Sequence, residues 1–131
     1  MKQLEQARIL LAKAMEDERA AAALMLHSDI GDSIIGFHCQ QAAEKLLKAL
    51  LSARQVVFRH SHDLAALIEA LDRSGYAFPD HLRALERITR FAWEFRYGLF
   101  EQHENFDRGA ALELVYALRR LVETEITRAA P

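Results

Sequence analysis

A chain of 131 residues with 51% hydrophobic content, five Gly and two Pro has the size of one domain spanning 1–131 and a composition that argues against a disordered or all-β protein. The lone Cys39, inside an apolar run, excludes a disulfide framework or a cysteine zinc cluster. A formal charge of −2 supplies no general attraction to nucleic acid, so no DNA partner is expected and any binding to RNA has to come from a local cluster or an assembled dimer.

The first helix is predicted over about Lys2–His27, because Leu4, Ala7, Leu11, Ala14, Met15, Ala22, Met25 and Leu26 recur at helical spacing while Lys2, Lys13, Asp17 and Arg19 fall mainly elsewhere on the wheel. Its acidic residues Glu5, Glu16, Asp17 and Glu18 do not fit a secretion signal, and no apolar stretch reaches membrane-spanning length, so a cytoplasmic protein is expected. Gly31 supplies a turn, and Asp32 or Ser33 an N-cap for a second helix over about Asp32–Ala53. This helix is apolar around most of its circumference, which marks it as central; its narrow polar strip holds His38, Gln41, Lys45 and Lys48, with Gln40 and Glu44 on the flank. Ile34, Phe37 and Leu51 interrupt that strip and point to a second contact surface, most simply a homodimer seam.

Gln55 to Ser61 reads as a connector with Val56, Val57 and Phe58 tucked against apolar surface. Asp63 or Ser61 caps a short third helix on Leu64, Leu67, Ile68 and Leu71, which ends near Ser74-Gly75. Pro79 opens a fourth helix over about Pro79–Arg96, with Leu82, Leu85, Ile88, Ala92 and Phe95 on its apolar face and Trp93 on its flank. Asp107 caps a fifth helix over about Arg108–Arg128. The expected fold class is all-α, an antiparallel four-helix bundle with one additional short helix.

Arg96 continues the helical phase onto the edge of the apolar face, away from the outer row Arg83, Arg87 and Arg90. A guanidinium at a core margin is costly without a partner, so it either meets a buried carboxylate such as Glu44 or Glu94, or is kept for a phosphate. His103, seven positions on, titrates near neutrality. The outer arginine row suits a solvated face better than an RNA strip. His60-Ser61-His62-Asp63 offers metal-ligand types without a second cluster, so no metal and no cofactor are expected.

The run Phe37-His38-Cys39-Gln40-Gln41-Ala42-Ala43-Glu44-Lys45-Leu46-Leu47-Lys48-Ala49-Leu50-Leu51, followed by His62-Asp63-Leu64 and by Arg96-Tyr97, resembles the HEPN family (higher eukaryotes and prokaryotes nucleotide-binding domain) across essentially the whole chain. The resemblance implies a dimer-forming helical bundle, often encoded beside a minimal nucleotidyltransferase as a toxin–antitoxin pair. In the catalytic branch an arginine and a histidine four to six residues apart carry metal-independent RNA cleavage, which makes Arg96 and His103, with six residues between them, the candidate catalytic pair. His38, Gln41, Glu44, Lys45 and Tyr97 are the candidate phosphate or nucleotide groove.

Three features depart from the patterns of the family's branches. Tyr97 stands where active members carry a small polar residue, and Gly98 where another branch, often without the histidine, reads proline. Nor does a tyrosine follow two residues after His103, where some members accept AMP from their nucleotidyltransferase. The alternative expectation is therefore a non-catalytic dimeric adaptor that binds a nucleotidyltransferase or a nucleotide.

Overall fold

The computed structural model describes residues 2–92 and 106–131. Its elements are α1 (Lys2–Leu24), α2 (Asp32–Ala53), α3 (Leu64–Arg73), the 3₁₀ helix η1 (Asp80–Ile88) and α4 (Arg108–Ala129), with no strand among the described residues. The all-α bundle is thus as the apolar periodicity predicts. No helix of the described residues is long and apolar enough to cross a membrane.

α2 is the central element, packed against α1, α4, α3 and η1. Ile35, Cys39, Ala42, Ala43, Leu46, Leu47, Ala49 and Leu50 are all buried, which is why so little of the helix is polar. Burial pushes the Cys39 thiol up to about 12, so it is an inert core group. Leu51 is also buried, so it belongs to this chain's own core and not to the wet strip where the periodicity placed it. The strip itself is narrower than expected, because Gln40, Glu44 and Lys48 are covered.

Helix ends explain several differences from expectation. α1 stops at Leu24, and Leu26, beyond the helical phase, is 83% exposed instead of lying on the apolar stripe. Gly31 occupies the N-cap of α2 without a side-chain cap. Asp32, expected as the cap, instead receives Arg108 Nε at 3.0 Å and Nη2 at 2.7 Å, and Arg108 Nη2 also donates to the Ile30 carbonyl at 2.7 Å. Asp63 caps α3 through Ala65 N–H and Asp107 caps α4 through Ala110 N–H, as the sequence predicts. In the connector Val56 and Phe58 turn inward while Val57 is 96% exposed, since an extended backbone alternates its side chains.

α2 and α3 end in the same way. Val56 N–H donates to the Leu51 carbonyl and Tyr76 N–H to the Leu71 carbonyl, each closing over a residue with positive φ, Gln55 at 58° and Gly75 at 89°.

The predicted fourth α-helix is, over its first nine residues, a 3₁₀ helix. Its buried residues Leu82, Leu85 and Ile88 recur every third position, and Phe91 continues the series, so a helix with three residues per turn keeps them all on one edge. Arg83 leaves the outer arginine row to hold Asp72 in a two-pronged pair, Nη1 to Oδ2 at 2.9 Å and Nη2 to Oδ1 at 2.7 Å.

Candidate functional site

Two sets of polar side chains leave α2 on adjoining faces. His38 and Lys45, seven apart, both reach back to Asp17 of α1: His38 Nδ1 lies 3.2 Å from Asp17 Oδ1, and Lys45 Nζ donates to Asp17 Oδ2. The Asp17 carboxylate, expected on the polar side of the first helix, is instead largely covered and shared between these two groups.

The second set is Gln40, Glu44 and Lys48, one helical turn apart and closed off by the start of α3. Lys48 Nζ donates to Glu44 Oε2 at 2.9 Å, His62 Nδ1 lies 2.9 Å from Glu44 Oε1, and Gln40 Nε2 donates to the same oxygen at 3.2 Å. Gln40 Nε2 also donates to the His62 carbonyl at 3.0 Å, and Gln41 Nε2 to Gln40 Oε1 at 2.7 Å, which extends this set toward the solvent side of α2. Burial pushes the Glu44 pKa up, but the Lys48 and His62 hydrogen bonds, the Lys48 charge and the Gln40 amide outweigh it and hold the carboxyl below its ordinary value. Glu44 and Lys48 are therefore a buried ion pair, not the surface i, i+4 pair their spacing suggests. No buried side-chain polar atom among the described residues lacks a partner.

A third feature touches the same helix. The Phe91 ring lies over Gly36, where a Cβ would come within 2.5–2.6 Å of three ring carbons. Phe106 stacks on Phe91 with ring centroids 4.7 Å apart. These two phenylalanines stand close to either end of the stretch 93–105.

Of the sequence-derived candidates, His38, Gln41, Glu44 and Lys45 lie on this polar seam, bound to Asp17 or linked through Gln40. Arg96, Tyr97 and His103 lie outside the described residues, as do Trp93, Glu94 and Phe95. Asp17 and Gly36 are not among the candidates the sequence offers, and His62 stands there as a metal-ligand type and in the run His62-Asp63-Leu64, not as the partner of Glu44. A separation of 28 positions from Asp17 to Lys45 leaves no periodic trace, whereas a glycine inside an otherwise strong helix, as at Gly36, is a legible sign of close approach. Sequence reasoning also missed two clefts of about 360 and 370 Å³ that flank Val57, one bordered by Arg59 and Arg73 and the other by Gln3, Gln6 and Gln55.

A family model for the HEPN domain matches residues 7–128, nearly the whole chain. The chain belongs to the HEPN domain family. No curated protein and no solved structure matches it. Membership of this nucleotide-binding and RNase-type family agrees with the all-helical fold.

Proposed function

We propose that this HEPN protein is a metal-independent endoribonuclease, the toxin of a toxin–antitoxin pair with a minimal nucleotidyltransferase, and that Arg96 and His103 carry its chemistry. The observation that supports this reading most is the state of Glu44. An internal role for Arg96 needs a buried acid, and Glu44, the acid that role would use on α2, already has Lys48, His62 and Gln40. A structural ion pair with Arg96 is not needed to balance it.

RNA brings its own nucleophile. His103 removes the 2′-hydroxyl proton, the 2′-oxygen attacks phosphorus, and the bond to the 5′-oxygen breaks, leaving a 2′,3′-cyclic phosphate and a 5′-hydroxyl end. Arg96 holds two phosphate oxygens through its planar fork as negative charge builds on them. In a two-fold dimer the second copy's histidine returns a proton to the leaving oxygen, and the paired arginines double a positive field that a chain of net charge −2 lacks. The residues assigned to receiving the substrate are His38, Gln41, Glu44 and Lys45 of α2, together with Tyr97.

The test is cleavage of single-stranded RNA by the purified protein in excess chelator. Arg96→Ala and His103→Ala should each lower the rate by about 10²-fold or more, the range for loss of an acid–base or charge-stabilising group. Wild-type rates in both folded variants would end the proposal. Tyr97 favours a second reading, in which the dimer is a non-catalytic adaptor for the nucleotidyltransferase or a nucleotide and Arg96 anchors an anion. That reading predicts binding that depends on Arg96 and is indifferent to His103.

A further inference from the structure

We infer that the connector between α2 and α3 is a docking edge for an extended acidic segment of a partner protein, which lies along it as an added strand in the cleft facing α3. The residues concerned are not those of the RNA chemistry proposed above.

Residues 56–61 run between the two helices without a turn or bend. Val56 N–H closes the end of α2 on the Leu51 carbonyl, but among the described residues no backbone N–H or C=O from Val57 to His60 has a partner within the chain. A straight stretch with its ladder groups unpaired is the template on which an incoming strand pairs. Val57 is 96% exposed, more than any other large apolar residue described, and it stands between two clefts that both border Val57 and Phe58. The cleft of about 360 Å³ faces α3, and Phe58, Ala66, Leu67 and Ala70 give it an apolar floor. An added strand turns alternate side chains to opposite faces, so apolar residues at every second position meet that floor.

Charge identifies the occupant. Although the chain carries a net charge of −2, the charged residues bordering the two clefts are Arg59 and Arg73, with no carboxylate among the described residues there. Arg73 is paired with Glu69 at 3.3 Å in solvent, which leaves it available, and Arg59 has no partner among the described residues. Carboxylates on the docked segment, between its apolar residues, answer these two guanidiniums at the rim. A two-fold pairing of this edge with itself would set the arginines against their own copies, which disfavours a second copy of this chain. A nucleic acid would engage the arginines but would leave the unpaired backbone and the apolar Val57 unused.

Fluorescence anisotropy of the full chain with short labelled probes is the test, with amide hydrogen exchange and sedimentation equilibrium as companion readouts. The probes are a peptide alternating valine with glutamate, one alternating valine with lysine, an N-methylated form of the first that cannot pair as a strand, and oligouridylate. The glutamate peptide should bind and slow amide exchange at residues 57–60. The lysine peptide should bind at least about 10-fold more weakly, because like charge opposes it. N-methylation should also cost about 10-fold, through the lost main-chain hydrogen bonds. Arg59→Glu/Arg73→Glu should weaken the glutamate peptide by about 10-fold or more with helical circular dichroism unchanged. Should that double variant not fold, Arg59→Ala decides, with an expected loss of about two- to fivefold. A glutamate peptide that does not bind the folded wild type, equal binding of the lysine or N-methylated peptide, or undiminished binding in the arginine variants overturns the inference. Oligouridylate that binds more tightly than the peptide and is lost with the same arginines assigns the surface to RNA, and a dimer that Val57→Asp dissociates assigns it to a second copy. Either result overturns the inference too.

Discussion

Lys48→Met is the perturbation that most sharply separates a buried charge cluster from a surface one. A helical i, i+4 pair in water contributes about 0.3–0.5 kcal/mol. Lys48 and Glu44 side chains are only 7% and 6% exposed, so removing the ammonium strands a carboxylate that water cannot reach. Breaking such a pair costs about 3–5 kcal/mol, and since His62 and Gln40 still hold one Glu44 oxygen, we expect the lower end, about 3 kcal/mol. Urea unfolding at neutral pH reads this as a fall in midpoint with an unchanged slope. Adding Glu44→Gln should recover most of the loss, because the uncompensated charge is then gone. A Lys48→Met penalty below about 0.5 kcal/mol would refute the reasoning, since that is the surface value.

The same carboxyl fixes a pH dependence. Its pKa is lower in the folded chain than its ordinary value, so its contribution is complete above the ordinary carboxylate range and fades as pH falls through the folded value. The stability difference between wild type and Glu44→Gln should therefore be flat from about pH 5 upward and shrink in acid, and a difference that grows in acid would contradict the assignment.

Further outcomes concern helix ends and the core. Gly75→Ala should cost about 1 kcal/mol in thermal or urea unfolding although its Cβ would meet nothing within 4 Å, because φ is +89°. Gln55→Gly, at the equivalent position with φ 58°, should leave stability unchanged or raise it by up to about 1 kcal/mol. Cys39 should resist thiol reagents in the native protein at pH 8 and react fully in denaturant, since burial lifts its pKa to about 12; rapid labelling of the native protein would contradict that burial.

Local signals were legible in the sequence where one residue type answers one geometric need. The bounds of α2, the Asp63 and Asp107 caps, and the glycine after α3 follow from apolar periodicity, a short side-chain acceptor and a positive φ. The 3₁₀ helix is not distinguished from an α-helix in the sequence because the spacing of Leu82, Leu85 and Ile88 satisfies both periods. The seam joining Asp17 to His38 and Lys45, and Glu44 to His62, was hidden because these pairs are set by how α1, α2 and the start of α3 meet. Leu51 and Val57 were misplaced for a related reason: which face is covered depends on a neighbouring element that periodicity does not name.

The central claim is that the arginine and histidine of this HEPN chain direct attack by RNA's own 2′-hydroxyl. Identification of the ends released from single-stranded RNA tests it most directly. Fragments ending in a 2′,3′-cyclic phosphate, each followed by a 5′-hydroxyl and lost together in Arg96→Ala and His103→Ala, are the predicted result. Fragments carrying a 5′-phosphate and a 3′-hydroxyl, or RNA left whole by the folded wild-type protein, would contradict it.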